Sequence, residues 1–214
     1  MERKILRYEG KDITVTYERP RCIHAERCVK DLPEVFDPER KPWVDADATE
    51  ADNLAAMILT CPSGALHYER NNGGSTETAP DNNIATLDVD GPLWVHGNLE
   101  ISGIEGETKE FRAALCRCGA SKYKPFCDGS HEKLPFKDDG KGKPGNINEN
   151  TAEGVLTINP VADGPLTVSG PLEIRNAEGD VLYRGEKTSL CRCGASSNKP
   201  FCDGSHMGIN FKTD

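Results

Sequence analysis

Six of the nine cysteines in this 214-residue chain fall in one pattern written twice. Cys116-Arg-Cys118-Gly-Ala-Ser121-Lys-Tyr-Lys-Pro125-Phe-Cys127-Asp-Gly-Ser-His131 returns as Cys191-Arg-Cys193-Gly-Ala-Ser196-Ser-Asn-Lys-Pro200-Phe-Cys202-Asp-Gly-Ser-His206. Each copy gathers three thiols and one imidazole, as C-x-C followed after eight residues by C-x3-H. Soft sulfur ligands with one borderline nitrogen suit an iron–sulfur cluster or zinc, and suit calcium or magnesium poorly. The other three cysteines, Cys22, Cys28 and Cys61, form a separate group near the N-terminus. The chemistry to expect is metal binding at three places.

Disulfides are the competing use of cysteine. They need an oxidising compartment, and Met1-Glu-Arg-Lys-Ile-Leu-Arg7 has no apolar core of signal-peptide length. No run reaches the roughly 18 apolar residues of a membrane span. An odd number of cysteines suits three groups of three better than pairs. Apolar residues make up 36% of the chain and aromatics 6%, while Gly and Pro supply 21 and 14 residues. That texture points to several small modules, which bury little surface and commonly need a metal or disulfide staple. A net charge of −9 argues against a nucleic-acid or anionic-membrane partner, and is read as ordinary acidic solubility.

Two polar, glycine-rich stretches without apolar periodicity, 71–83 and 140–154, read as linkers. They leave modules at 1–70, 84–139 and 155–214, the last two being internal repeats. Gly91-Pro-Leu93 and Leu99-Glu-Ile101 return 73 residues on, as Gly164-Pro-Leu166 and Leu172-Glu-Ile174. Leu115-Cys-Arg-Cys118 and Phe136-Lys137 return 75 residues on, which places a two-residue insertion between them, in the Glu178-Gly-Asp180 turn. Apolar runs at 84–89, 93–95, 155–158 and 166–168 read as strands, so each repeat is expected to be a small, mostly β module with its ligand loop after a strand. In the first module, Ile13-Thr-Val-Thr-Tyr17 alternates like a strand after a Gly10-Lys11 turn. Thr49, with Asp52 three residues on, reads as a capping box opening a helix to Leu59, and Ala65–Tyr68 as a returning strand. The pattern is α+β.

The doubled C-x-C-x2-S-x3-P-x-C-D-G-S-H resembles the CDGSH iron–sulfur domain family over both halves of 84–214. The resemblance implies a 2Fe–2S cluster in each copy, held by Cys116, Cys118, Cys127 and His131, and by Cys191, Cys193, Cys202 and His206. It further implies that the C-x-C sulfurs take an inner iron and the last Cys and His an outer, more exposed one. Single-motif relatives pair as homodimers, so two copies in one chain suggest an intrachain pseudo-dimer and a monomer. Physically, Gly119 and Gly194 allow a sharp turn beside the metal, and Asp128 and Asp203 are placed to cap a short helix presenting the histidine. An imidazole in place of a thiolate removes negative charge and should raise the reduction potential. A mononuclear zinc site is the alternative, although C-x-C is an unusual zinc pairing.

The N-terminal module is similar to single-cluster bacterial ferredoxins over about residues 12–70, through Cys22-Ile-His24-Ala25-Glu-Arg-Cys28, Leu32-Pro-Glu-Val-Phe-Asp37 and Cys61-Pro62. Such ferredoxins place a cysteine where this chain has Ala25. Three thiolates at Cys22, Cys28 and Cys61 suffice for a 3Fe–4S cluster, and His24 is the candidate fourth ligand for a 4Fe–4S cluster. His67 and His96 read as surface or packing residues, and Tyr17, Trp43 and Trp94 as core or shielding aromatics.

No G-x-S-x-G elbow, P-loop or G-x-G-x-x-G turn is present, and no catalytic constellation emerges. The expectation is a cytoplasmic, non-enzymatic electron carrier with redox-protein partners. A cluster donor or redox/acid sensor is the alternative, and a zinc-stabilised adaptor a third reading.

Overall fold

A computed structural model describes residues 4–103, 109–149 and 153–213. It is mostly β with few helices and divides into two compact units, Arg3–Thr78 and Ala79–Asp214.

In the first unit, β1 (Ile5–Glu9), β2 (Ile13–Glu18) and β3 (Leu66–Arg70) form an antiparallel sheet with β2 in the centre. Between β2 and β3 lie α1 (Arg27–Asp31) and α2 (Ala51–Leu59). Leu54 and Ile58 of α2, four residues apart and so on one helix face, are fully buried with Ile13, Val15 and Phe36. The helix ends where the sequence places it, but its cap differs from the expected Thr49 box. Glu50 occupies the cap position in extended conformation, without a side-chain cap bond. Asp52 is drawn instead to Arg70 on β3, 2.6 Å away.

In the second unit both repeats enter one sheet of six strands and one hydrophobic core. The first repeat gives β4 (Ile84–Leu87), β5 (Leu93–Ile101) and β6 (Lys109–Leu115). The second gives β7 (Leu156–Pro160), β8 (Leu166–Arg175) and β9 (Val181–Leu190). β5 and β6 pair antiparallel, as do β8 and β9. The inner edge of β5 pairs antiparallel with β4 over its first half and parallel with β7 over its last residues. β8 does the same with β7 and then β4. Each repeat's first strand therefore pairs with its own repeat and with the other.

The partner switch falls at register shifts between His96 and Leu99 and between Ser169 and Leu172. Matched glycines sit there. Gly170 has φ +106°, and a Cβ on it would run into the Val155 carbonyl. Buried Asn83 closes the switch, its amide donating to Gly154 O (3.0 Å) and Pro171 O (2.8 Å) while its oxygen accepts from Asn98 N–H (2.8 Å). Strict alternation along β5 buries Leu93, Val95, Leu99 and Ile101, and matched residues Leu166, Val168, Leu172 and Ile174 join the same core.

The stretch 140–149 is tied to the second repeat by backbone bonds Lys143 N–H to Lys199 O and Gly145 N–H to Leu182 O. Glu178 and Gly179 lie in the β8–β9 turn; the matching 104–108 of the first repeat is outside the described residues. Among the described residues no helix is long and apolar enough to cross a membrane.

Candidate metal centres

β6 ends at Leu115 and β9 at Leu190, so each delivers the first cysteine of its motif from a buried strand end. The loop then doubles back onto that strand. Cys116 N–H donates to Pro125 O (2.9 Å) and Cys127 N–H to Ala114 O (2.7 Å). In the second copy Cys191 N–H donates to Pro200 O and Cys202 N–H to Ser189 O, both at 2.8 Å. The motif's polar residues stitch the turn. Ser121 Oγ donates to Phe126 O (2.6 Å) and accepts from Tyr123 N–H (3.0 Å), as Ser196 does with Phe201 O and Asn198 N–H.

Asp128 and Asp203 clamp both ends of the final segment. Asp128 accepts from Lys122 N–H and Ser130 N–H, and Asp203 from Ser197 N–H and Ser205 N–H. The cap positions themselves belong to left-handed Gly129 and Gly204, a correction to the expected Asp caps. A 3-10 turn at Ser130–Lys133 and the short helix α3 (Ser205–Gly208) follow and carry the histidines. Hydrogen bonds from Ser205 and the Ser197 backbone hold the Asp203 carboxyl well below the usual range. Burial alone would raise Asp128, but bonds from Ser130 and Lys122 outweigh it and lower it too.

The arginine inside each C-x-C was not singled out from the sequence, yet it anchors the loop. Arg117 donates to Gly91 O (2.9 Å), to Asp88 O and to Asp138 Oδ1 (3.0 Å), with its guanidinium 5.7 Å from the Phe136 ring. Arg192 donates to Gly164 O (3.0 Å) and Val161 O, and stands 5.7 Å from the Phe211 ring. These contacts explain why Gly-Pro-Leu before each motif and Phe-Lys after it are repeated with it. The position of Asp138 is held in the second copy by Thr213, which donates to Asp163 (3.0 Å).

The candidate ligands approach in pairs. Cys116 and Cys118 sulfurs are 3.8 Å apart, as are those of Cys191 and Cys193. Cys127 Sγ lies 3.3 Å from His131 Nδ1, and Cys202 Sγ 3.4 Å from His206 Nδ1. Two sulfurs bound at about 2.3 Å to one tetrahedral metal stand about 3.8 Å apart, and a sulfur and an imidazole nitrogen about 3.6 Å. The sulfur pairs have that spacing, and the sulfur–nitrogen pairs, at 3.3 and 3.4 Å, lie slightly inside it. Among the described residues, no three His, Cys, Asp or Glu side chains converge as one metal ion would require.

The proton affinities of the thiols differ between the two copies, Cys118 being lowered and the matched Cys193 raised. The hydrogen bond from Cys116 lowers Cys118 and raises Cys116, so the first proton leaves the pair more readily than the second. Burial pushes Cys127 up to about 12, and raises Cys193 in the second copy. Thiols so buried keep their protons until a metal displaces them, so metal binding at these loops would release protons. All nine cysteines are free.

The two loops also touch. A Cβ on Gly119 (φ +82°) would lie 2.7 Å from Cys193 O, and one on Gly194 (φ +82°) 3.0 Å from Cys118 O. Only glycine allows this mutual approach.

In the first unit, Cys22, Cys28 and Cys61 line one cavity together with Tyr17, Trp43 and Met57. Tyr17 packs edge-on against Trp43 at 4.9 Å and hydrogen-bonds with Cys22, consistent with a shielding role for both rings. Burial pushes Cys28 up to about 11. His24 has φ +55°, is exposed, and is not among the residues lining the cavity. Buried Arg21, beside Cys22, donates to Ser63 O (3.0 Å) and pairs with Glu18 (3.6 Å), tying the Cys22 loop to the Cys61 loop. Composition gave no hint of that tie. His67 lies 3.1 Å from Glu77 and does not line the cysteine cavity, and His96 is on the outward face of β5.

Residues 8–71 match the family model described as divergent 4Fe-4S mono-cluster. Residues 90–132 and 163–207 each match the model described as iron-binding zinc finger, CDGSH type. The uncharacterized protein YjdI of Escherichia coli K12 is 38% identical over 61 residues, spanning 28% of this chain and 80% of that protein. YjdI of Escherichia coli O157:H7 matches to the same extent. Both fall on the N-terminal domain. No solved structure matches the chain. With cysteine cavity, paired ligands and repeats in agreement, this is an iron–sulfur protein that belongs to the divergent 4Fe-4S mono-cluster family through its N-terminal domain, followed by a tandem of CDGSH iron-binding domains.

Proposed function

We propose that the chain is a three-cluster electron carrier, with a 2Fe–2S cluster at each CDGSH loop and a 3Fe–4S cluster on Cys22, Cys28 and Cys61. The observation that carries this is the pairing of ligands. Two donors at 3.8 Å and two at 3.3–3.4 Å in each loop, without convergence of a third, suit two metals per loop. A single zinc would draw all four donors around one point. Three cysteines around a common cavity suit a larger cluster in which each sulfur binds its own iron; the matching family is described as 4Fe-4S, and the three-iron form is proposed here because Ala25, which lines the cavity, offers no donor and His24 is exposed and outside its lining.

Such clusters supply reversible storage of single electrons. The chain's part is to hold the ligands and limit water access to them. Arg117 and Arg192 fix the C-x-C turns, Ser121 and Ser196 set the path to the outer cysteine, and Asp128 and Asp203 aim the histidine. The exchanged strands and the Gly119–Gly194 contact support an intrachain pseudo-dimer with its two centres side by side, suited to electron passage between them. The N-terminal unit is read as ferredoxin-like. The proposed setting is the cytoplasm, where thiols stay reduced, with redox proteins rather than nucleic acid or membrane as partners.

Cluster donation is the second reading, favoured by the half-buried outer pair Cys202 and His206. Dithionite titration followed by mixing with an apo-ferredoxin separates the two. A carrier bleaches and recovers with one electron per cluster and keeps its iron. Transfer of iron and sulfide to the apo-protein, faster than spontaneous loss, would mark a donor.

A further inference from the structure

The two CDGSH loops repeat their ligands but not their cover. Cys127 is 2% exposed, whereas the matched Cys202 is half-buried. Two positions differ within the motif: Lys122 and Ser197 are both exposed, so the change in cover falls on the other, four residues before the cysteine. Tyr123 is 8% exposed and stacks on Phe126, with ring centroids 5.9 Å apart and planes at 28°. Its counterpart is Asn198, which is exposed and has no ring to contribute.

The consequences run along the loop. Phe126 is 2% exposed, but Phe201 is only half-buried and turns edge-on to Tyr183 at 5.8 Å. Ala120 and Asp128 are half-buried where Ala195 and Asp203 are exposed. From the first cysteine to the third the backbone bonds of the two loops are the same, so over that span the difference lies in side-chain cover and not in loop path.

We propose that the two CDGSH sites are functionally unequal: the second site is open to exchange with solutes, the first is retained, and Tyr123 against Asn198 sets the difference. This rests on the metal-binding reading above. Loss of metal to a competing ligand requires that ligand to come within bonding distance of the outer metal. A metal held there by Cys202 Sγ and the His206 ring would leave only as bonds from the competitor replaced those from the protein and from bridging sulfide, the freed thiolate and sulfide taking protons from water. No electron moves. At the first site the stacked rings of Tyr123 and Phe126 and the burial of Cys127 obstruct that approach.

The test uses the full-length, air-oxidised protein at neutral pH with a hydroxamate chelator of ferric iron in excess. Iron and acid-labile sulfide are measured first, and absorbance loss is then followed. Iron of the CDGSH sites should leave in two phases of equal amplitude. Asn198→Tyr should slow the faster phase several-fold and leave the slower one unchanged. Tyr123→Asn should speed the slower phase, and Tyr123→Phe should keep it slow, because the ring and not the hydroxyl gives the cover. Neither substitution should move the phase of the N-terminal iron. Asn198 is exposed, so its substitution does not threaten the core. Iron and sulfide present, with one common CDGSH rate or a fast phase indifferent to Asn198→Tyr, would overturn the inference alone. Absence of sulfide would instead overturn the reading beneath it.

Discussion

Replacing Cys116 and Cys127 together by serine is expected to abolish metal binding at the first CDGSH loop and to open that loop to protease. The two residues come from different donor pairs, so neither pair could hold a metal through both of its protein donors. Small metal sites draw on the order of 10 kcal/mol from the metal, comparable with the whole stability of a domain. The effect should spread. β4 and β7 pair with both repeats, and residues of both repeats fill one core, so unfolding of the first repeat removes partners from the second. Limited proteolysis should therefore cut first between 116 and 133, and thermal unfolding of the entire 79–214 unit should move to lower temperature. A double variant that loses its iron but resists protease as the parent does would contradict this.

The second large effect concerns the histidines. His131→Cys and His206→Cys should each slow bleaching of their own site at about pH 6, where an imidazole released from a metal takes up a proton and a thiolate ligand holds on. Each should also lower that site's reduction potential, because a thiolate adds negative charge where the imidazole had none. The loop carboxylates cannot account for bleaching at that pH. Asp128 and Asp203 are held below the usual carboxylate range, so their support is present above about pH 4 and is lost only as pH falls below it. Stopped-flow bleaching with redox titration of each single variant checks both effects. Unchanged lability and unchanged potential in both would mean that the histidines are not ligands.

The CDGSH loops were legible because their information is local and duplicated. Candidate ligands, turn glycines and the clamping aspartates all lie within one short motif, and repetition separates motif from background. Repetition also carried a signal for Arg117 and Arg192, whose partners at Gly91, Gly164, Phe136 and Phe211 were visible as matched fragments without a role. The strand Ile13–Glu18 followed from alternation, and the start of Leu93–Ile101 from the apolar run 93–95, which gave no sign of its full length.

Pairing between repeats was not legible, because β4–β8 and β5–β7 join residues distant in sequence and the only local trace is the matched pair Gly97 and Gly170. Backbone bonds of Lys143 and Gly145 leave no mark on side-chain type, so that stretch reads from composition as a plain linker. The Thr49 cap failed for an electrostatic reason: Arg70, brought beside the helix by β3, attracts Asp52. The cavity shared by Cys22, Cys28 and Cys61 depends on Tyr17 and Trp43 from separate segments, which no spacing rule brings together.

The central claim is that this chain holds clusters and not single metal ions. Iron and acid-labile sulfide content, with EPR, on protein purified without oxygen tests it most directly. The account predicts about seven irons per chain, two from each CDGSH loop and three from the N-terminal site, with sulfide alongside. About eight irons would move the N-terminal site to a 4Fe–4S cluster and leave the rest standing. Stoichiometric zinc without sulfide would contradict it.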